Sequence, residues 1–471
     1  MIKNKPKHIH FVGIGGIGMS GIAQVLAQKG YHVSGCDTDC AQKSVSLLRA
    51  LGCEVSEKHN SELCQDDSID LLVYSTSINK NNPEFSRAQD KNIQMVHRSE
   101  MLAYLMSMHT YNIGITGSHG KTTTSSLVSH IFLKALYEPT VVIGGILSTI
   151  NSNAKAGKSG PGNILIAEAD ESDRSLLNLP VTHAILTSIT PEHLNVFKDL
   201  ADIQHTFFTF LSNLPANGKA IVCLDDKNIQ AIITNLSLQP ITYGLNENAN
   251  WQIVDYTLNP SSSDFIVYHQ GNFYGAFTVA LAGLHNIQNA TAALALAHEF
   301  KIPLQVTQDA LTTFAGVDRR FTFKGLTHKG AEIFDDYGHH PVELACTFKV
   351  ARVRAEKRLV VLFQFHRYTR TKFLWQDFIK VFSENLLNQI VDELILTDVY
   401  PASEEPLEGI NTQTFIADLL EKFPNTKVSY LPIDHNFKSM TTYLDSILKE
   451  GDLLLIQGAG TLNKIADKLT R

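Results

Sequence analysis

Gly120-Lys121-Thr122 is the stretch of this chain best equipped for chemistry. Glycine lets backbone N–H groups turn toward phosphate oxygens, the lysine reaches the β- and γ-phosphates, and the threonine hydroxyl can ligate Mg²⁺. A helix beginning at Lys121 would add the positive end of its dipole. The strict phosphate-loop pattern asks for glycine where Ile115 stands, so the segment is a shorter form, Thr116-Gly117-Ser118-His119-Gly120-Lys121-Thr122. Its place directly after the apolar run Tyr111–Ile115 favours nucleotide binding over a chance glycine turn.

Two further strand ends carry polar clusters. The run 163–167 leads into Glu168-Ala169-Asp170-Glu171-Ser172-Asp173, and 183–188 leads into Ile189-Thr190-Pro191-Glu192-His193-Leu194-Asn195. Carboxylates gathered at a strand end are costly unless solvated or bound to a cation. In an open α/β sheet, ligands lie beyond the carboxyl ends of the strands, so both clusters are expected to face the crevice of the phosphate loop. From these residues alone, a Mg·ATP site using Thr122, Glu168 and His193 and a set of solvated acidic loops stand level.

A second glycine loop, Gly13-Ile14-Gly15-Gly16-Ile17-Gly18, follows the strand His8–Val12, and Asp37 closes the next strand. The pattern matches the dinucleotide fingerprint. Physically it says only that a diphosphate can approach a helix N-terminus. NAD and a UDP-sugar both satisfy that, as does a glycine turn that merely packs helix on sheet.

These loops need strands and helices to hold them. Residues 20–29 read as a helix stopped by Gly30, and 31–36 as the following strand. The last third of the chain holds strands at 359–365, 393–399 and 452–456. Strands alternating with helical stretches imply parallel sheets covered by helices. With 471 residues, about three domains are expected, with boundaries near 107 and 323. Residues 151–162, polar and glycine-rich, read as an exposed excursion within the middle segment.

Composition narrows the class. At 44% apolar and 18% charged, the chain is that of a soluble globular protein, and a formal charge of −7 argues against a general nucleic-acid binder. No run approaches a membrane span or a signal segment, so no membrane insertion is expected. The six cysteines show no zinc-site spacing and read as free thiols of a reducing cytoplasm.

Taken in order along the chain, the motifs resemble the Mur ligase family of bacterial cell-wall synthesis. Besides the segments above they are Gly283-Leu284-His285-Asn286-Ile287-Gln288-Asn289-Ala290, Arg319-Arg320-Phe321, Asp335-Asp336-Tyr337-Gly338-His339-His340-Pro341, 363–371 with Phe365-His366-Arg367 at its centre, and Val399-Tyr400-Pro401-Ala402. The resemblance implies an α/β protein of three domains: an N-terminal Rossmann-like UDP-binding domain (1–107), a central P-loop ATPase-type domain on a parallel sheet (108–323), and a C-terminal Rossmann-like domain (324–471).

The implied activity is ATP-dependent amide-bond formation between UDP-N-acetylmuramate and L-alanine through an acyl phosphate. ATP and Mg²⁺ are the implied cofactors, and a monomer or weak homodimer the implied state. By resemblance, Gly15, Gly16, Ile17, Gly18 and Asp37 hold the UDP-sugar. Gly117, Ser118, His119, Gly120, Lys121, Thr122 and Thr123 hold ATP phosphates, with Asn286 and Asn289 near adenine and Arg320 on the phosphate side. Thr122, Glu168 and His193 hold Mg²⁺. Tyr337, His339, His366, Arg367 and Arg370 shape the amino-acid site, where two arginines three apart after a buried strand can grip a carboxylate. Catalysis is assigned to Lys121, Glu168, His193, His339, Arg367 and Arg370. Ser118 stands where the family often has Thr, and Phe365 where relatives often have Pro; neither removes a ligand.

Three rivals remain. An NAD-dependent oxidoreductase leaves Lys121-Thr122 and the acidic strand ends unused. An ATP-switched binding module leaves Tyr337-Gly338-His339 and His366-Arg367 unused. A recycling ligase would add a preformed peptide to the same sugar.

Overall fold

In the computed structural model the short apolar runs become inner strands of three separate sheets. The structure describes all residues except 1, 3, 4, 159–162, 194, 195, 403 and 471. The α/β class and the three sheet domains are as the sequence led us to expect.

The first sheet runs, edge to edge, Glu54–Ser56, His32–Cys36, His8–Val12, Leu71–Tyr74, Gln94–His97, all parallel. Its strand order reverses beside His8–Val12, which puts the first glycine loop at the switch point where α/β sheets bind ligands. The helix after that loop spans Ile17–Gln28, starting ahead of the expected residue 20. Gly16 serves as N-cap with no side-chain bond, so the sequence carries no polar capping residue to mark the start.

The second sheet has ten strands. Its parallel heart is Ile241–Gly244, Lys219–Cys223, His183–Leu186, Tyr111–Thr116, Ile164–Glu168 and Thr140–Leu147. The helix Lys121–Lys134 buries Leu127, Val128, Ile131 and Phe132. Burying each such side chain is worth roughly 1.5–3 kcal/mol, which seats the helix start firmly over the sheet.

One expectation fails here. Residues 152–155 are no exposed excursion but the antiparallel edge strand Ser152–Lys155, paired with Thr140–Leu147. Ser152, Asn153 and Ala154 are buried. Asn153 donates to the Ile17 carbonyl at 2.7 Å and accepts from Gln24 Nε2 at 2.8 Å, while Ser152 Oγ donates to Gln24 Oε1 at 2.7 Å. Polar residues are buried because each finds its partner on the helix Ile17–Gln28, which a composition-based loop reading cannot anticipate. The rest of that stretch, 159–162, lies outside the described residues.

The chain divides into two compact units: Met1–Tyr256 with Asp264–Ala280 and Asn286–Val317, and Thr257–Ser263 with Leu281–His285 and Asp318–Arg471. The first holds both sheets already described, joined by the Asn153 contacts. The longest stretch of the second begins at Asp318, and residue 323 falls inside the strand Thr322–Leu326. Its six-stranded sheet runs Thr322–Leu326, Glu332–Asp336, Leu453–Gln457, Leu359–His366, Glu393–Tyr400, Val428–Tyr430, parallel except for the first pair. One face packs an aromatic core, with Phe365 centred 4.9 Å from Phe415 and 5.0 Å from Phe378. That core explains Phe365 in place of proline: the ring is fully buried. Among the described residues no helix is long and apolar enough to cross a membrane.

Candidate active site

The strand Tyr111–Thr116 delivers the chain into the second glycine loop, which is bound along its length to the end of the neighbouring strand. Ser118 N–H donates to the Ser188 carbonyl at 2.9 Å, His119 N–H to Ser188 Oγ at 3.0 Å, and Thr190 N–H to Ser118 Oγ at 2.8 Å. Gly117 has φ +126°, and a Cβ there would stand 2.9 Å from Ser188 N. Gly120 caps the helix at φ +84°, a left-handed conformation that suits glycine. A Cβ there would come within 2.8 Å of Asn289 Oδ1. Asn289 therefore abuts the loop itself, and its Nδ2 reaches Asn286 Oδ1 at 3.4 Å. No side chain caps the helix, so its first N–H groups, with Thr123 in the opening turn, are left for an anion.

Lys121 folds back over the loop. Its Nζ donates to the Gly117 carbonyl at 2.6 Å and to Glu171 Oε1 at 2.8 Å. Burial works to lower its pKa, but the carboxylates of Glu171 and Asp170 outweigh burial and hold the ammonium above its ordinary value. Glu171 is buried, and burial pushes its carboxyl up to about 7 against the pull of Lys121. Thr122 Oγ1 lies 3.3 Å from Glu168 Oε2, and Glu168 Oε1 accepts from Gly144 N–H at 2.6 Å and Ser125 Oγ at 3.1 Å.

His193 stands beside Glu171 and Glu192, its Nε2 at 3.7 and 3.9 Å from their oxygens. Its backbone holds φ +53°, a strained setting for a histidine of the kind that functional sites retain. Its neighbours Leu194 and Asn195 lie outside the described residues. Glu171, Glu192 and His193 each offer a donor atom within 4.8 Å of the others. Among the described residues, Glu171 Oε2 is buried without a hydrogen-bond partner. Glu171, Glu192 and His193 form one group of donors and Thr122 with Glu168 another, and both are dominated by the oxygen ligands that Mg²⁺ takes.

At the first loop, Gly13 takes φ +76° and Gly15 N–H donates to Asp37 Oδ2 at 2.8 Å. Asp37 Oδ1 accepts from Asp39 N–H at 2.9 Å. Asp37 thus shapes the loop, and Ile17, the first helical residue, is exposed at its mouth. The loop carries no cation of its own. Arg98 supplies one: its Nη1 would lie 3.3 Å from a Cβ on Gly18, and its Nη2 pairs with Asp170 Oδ2 at 2.5 Å.

In the second unit, the strand ends after 336 and 366 bring Tyr337, His339, His366 and Arg370 together. The His339 and His366 rings are 5.6 Å apart, and His366 stacks on Tyr400 at 5.5 Å. Arg370 Nη1 lies 3.0 Å from His366 Nδ1. Arginine only donates, so Nδ1 accepts and the His366 proton sits on Nε2. His339 Nδ1 faces the Tyr337 carbonyl at 3.2 Å, which only accepts, so His339 keeps its lone pair on Nε2. Burial lowers both imidazoles to about 3, with Arg370 adding to the effect at each. Arg367 begins the helix after the strand at φ +71°, its Nη1 4.0 Å from Glu404. Arg320 lies over the Tyr337 ring at 5.6 Å, next to Arg319 at 4.9 Å.

Comparison with known proteins places this geometry. Three family models match consecutive stretches: the Mur ligase family catalytic domain over residues 8–110, the Mur ligase middle domain over 115–297, and the Mur ligase glutamate ligase domain over 319–460. The chain belongs to the Mur ligase family. A UDP-N-acetylmuramate–L-alanine ligase of Syntrophus aciditrophicus is 38% identical over 469 residues, covering 100% of this chain and 94% of that one. Another, of Geotalea uraniireducens, is 41% identical over 468 residues, covering 99% and 98%. Among solved structures, the UDP-N-acetylmuramate–alanine ligase of Thermotoga maritima superposes with a TM-score of 0.80 at 24% identity, over 98% of both chains. A murein peptide ligase of Psychrobacter arcticus shares the fold with a TM-score of 0.71 at 21% identity, also over 98% of both.

Two residues of this Mur ligase carry more of the site than the sequence reading gave them. Glu171 was one acid among several, yet it bonds to Lys121 and stands beside His193. Only burial distinguishes it from Asp173 or Glu192, and burial is not written locally. Arg98 opens the helix Arg98–Met106, where the helix dipole disfavours a cation. That misplaced charge is the one local sign that it has a distant partner.

Proposed function

We propose that this Mur ligase joins the carboxylate of UDP-N-acetylmuramate to the amine of L-alanine, converting ATP to ADP and phosphate, as a step of peptidoglycan precursor synthesis in the cytoplasm. The observation that carries the reading is Lys121, folded over a glycine loop and bonded to buried Glu171, in a chain about two-fifths identical along its length to L-alanine-adding ligases. UDP-sugar binding is assigned to 1–107, ATP to 108–323 and the amino acid to 324–471, in a monomer or weak homodimer.

A carboxylate does not condense with an amine in water, because its oxygen leaves poorly. A substrate carboxylate oxygen therefore attacks the γ-phosphorus of ATP; the bond to the β–γ bridging oxygen breaks, and ADP departs. The resulting acyl phosphate has a good leaving group. The alanine amine attacks its carbonyl carbon, and the tetrahedral intermediate collapses with loss of phosphate and of one proton from nitrogen. Phosphoryl transfer of this kind depends on positioning and charge neutralisation. Lys121 neutralises charge on the transferred group, with the uncapped start of the helix Lys121–Lys134 beside it. Mg²⁺, when held by Thr122, Glu168 and His193 with Glu171 beside them, supplies further neutralisation of phosphate charge. Arg367 and Arg370 are cations for the amino acid carboxylate. His339 Nε2, a neutral acceptor, faces the ammonium, and His366 Nε2–H is a donor.

The test is phosphate release from ATP with UDP-N-acetylmuramate and, in turn, L-alanine, glycine, L-serine or a murein tripeptide, with product identified by mass. Amide product with L-alanine is expected. Turnover with the tripeptide alone would transfer the chain to the peptide-adding branch, and folded protein that binds ATP yet makes no amide would overturn the ligase reading.

A further inference from the structure

Beneath the first glycine loop, four buried side chains of the first sheet domain come together. His10 comes from the central strand, Cys36 from the end of the adjacent strand, Cys64 from a short 3-10 helix, and Glu84 from the first turn of the helix Pro83–Asp90. None is more than 2% exposed. His10 Nε2 lies 3.0 Å from Glu84 Oε2, and Cys36 Sγ lies 2.8 Å from Glu84 Oε1. One donor atom from each of the four falls within 4.8 Å of all the others. A tetrahedral zinc ion spaces nitrogen, oxygen and sulfur ligands by about 3.3–3.8 Å, so the cluster accepts the ion with shifts of an ångström or less.

The surroundings are those of a prepared site. His10 Nδ1 is engaged by Ser34 Oγ at 2.8 Å, which fixes the ring with Nε2 toward the cluster. Ser34 is held in turn by His8 Nε2 at 2.7 Å. Glu84 is anchored by its N–H, which donates to Asn82 Oδ1 at 3.0 Å. His59 Nδ1 lies 2.9 Å from Cys36 Sγ and 3.1 Å from Glu84 Oε1, placed to donate to either once it is metal-bound. Val12, Leu72 and Ala88 wall the cluster, with Phe85 and Met95 packed outside. Glu84 is paired with His10 and His59, and ionising both thiols in that apolar shell leaves an excess of negative charge that a divalent cation offsets.

We propose that His10, Cys36, Cys64 and Glu84 bind one zinc-class divalent cation as a closed structural site. On binding, both thiols lose their protons to solvent and His10 ligates as neutral imidazole. All four positions are then protein ligands, with no place for a substrate, so the ion braces rather than reacts. What it braces is the first glycine loop: Gly13 and Ile14 N–H groups both donate to the Cys36 carbonyl, at 2.8 and 3.0 Å. Sequence spacing hid this site, because its ligands are scattered over four elements with no paired motif.

The experiment uses the full chain, freed of metal by a chelator under reducing conditions and titrated with Co²⁺. About one equivalent should develop the near-ultraviolet thiolate-to-cobalt charge-transfer band, and Zn²⁺ should then erase it. Oxygen-donor sites near the ATP loop cannot give that band, so binding there is distinguished. Cys36→Ser should remove about half of the band's intensity, and Cys36→Ser combined with Cys64→Ser should remove it entirely. If the variants fail to fold, the wild-type titration still decides. A reduced, folded wild-type chain that shows no thiolate band at excess Co²⁺ overturns the proposal, as does a Cys36–Cys64 disulfide with no metal uptake after its reduction.

Discussion

The two glycine loops of the first unit use the same backbone device and hold different charge. Each follows a buried strand, each turns on a glycine in the left-handed region, and each opens a helix with no side-chain cap. The second loop has its own ammonium, Lys121, drawn over it by a buried carboxylate. The first has an acid, Asp37, bonded to its backbone, and takes its nearby cation from Arg98 on another element. A loop that only has to bind a diphosphate works with backbone donors and a distant charge. A loop that must pass a phosphoryl group needs a cation at the place where charge builds up.

The sharpest way to break that contrast is Lys121→Ala. Turnover should fall by about 10²–10³-fold or more, the scale of losing one donor aimed at transition-state charge. UDP-sugar affinity, read by calorimetry, should stay within about twofold. Loss of both would mean that the second loop is a packing turn. Glu171→Gln comes next. It keeps the shape but frees Lys121 from its ion pair, and kcat should drop by about tenfold to a hundredfold with the protein still folded. Glu171→Ala should in addition destabilise the first unit, by less than the about 3–5 kcal/mol of a fully stranded buried charge, because Asp170 and the Gly117 carbonyl still face the ammonium. Equal kcat in Glu171→Gln and the parent would remove Glu171 from the site.

A paired substitution sharpens the same comparison. Gly120→Ala places a methyl 2.8 Å from Asn289 Oδ1, and Gly15→Ala places one 2.8 Å from Asp37 Oδ2 and 3.1 Å from Val45. The first should raise the KM for ATP by about tenfold, and the second the KM for the UDP-sugar by a similar factor, each leaving the other substrate nearly unchanged. Crossed effects would show that the two loops are not assigned to separate substrates.

The contrast also shows what a sequence displays. Both loops were legible because glycine at a turn is a local requirement, and so were the three sheets, whose inner strands are continuous apolar runs. Asn153 was not legible. A polar residue in a glycine-rich stretch reads as exposed, and only its partners on Gln24 and Ile17 make burial possible. Glu171 and Arg98 were missed for the same reason: their importance lies in pairs 50 and 72 residues apart. Tyr337, His339, His366 and Arg370 do converge, but which ring nitrogen carries a proton follows from carbonyl and guanidinium neighbours, not from the motif.

The second unit gathers buried histidines rather than an ammonium over a glycine turn, and burial makes those histidines sensitive to acid. His339 and His366 are lowered to about 3 by burial, whereas the unfolded chain carries them near 6.5. Between those values the unfolded state binds protons that the folded state refuses. Their neutral burial therefore costs nothing above 6.5, and stability falls as pH drops from 6.5 toward 3, by up to about 1.4 kcal/mol per pH unit for each histidine. The chain has two tryptophans, Trp251 and Trp375, and only Trp375 lies in the second unit. In a Trp251→Phe background its fluorescence reports that unit alone. The urea midpoint should decline from pH 7 to pH 5, and His366→Gln, which removes one titrating group, should flatten the decline. A slope unchanged by that substitution would place the His366 proton affinity near its ordinary value and withdraw the donor role given to its Nε2.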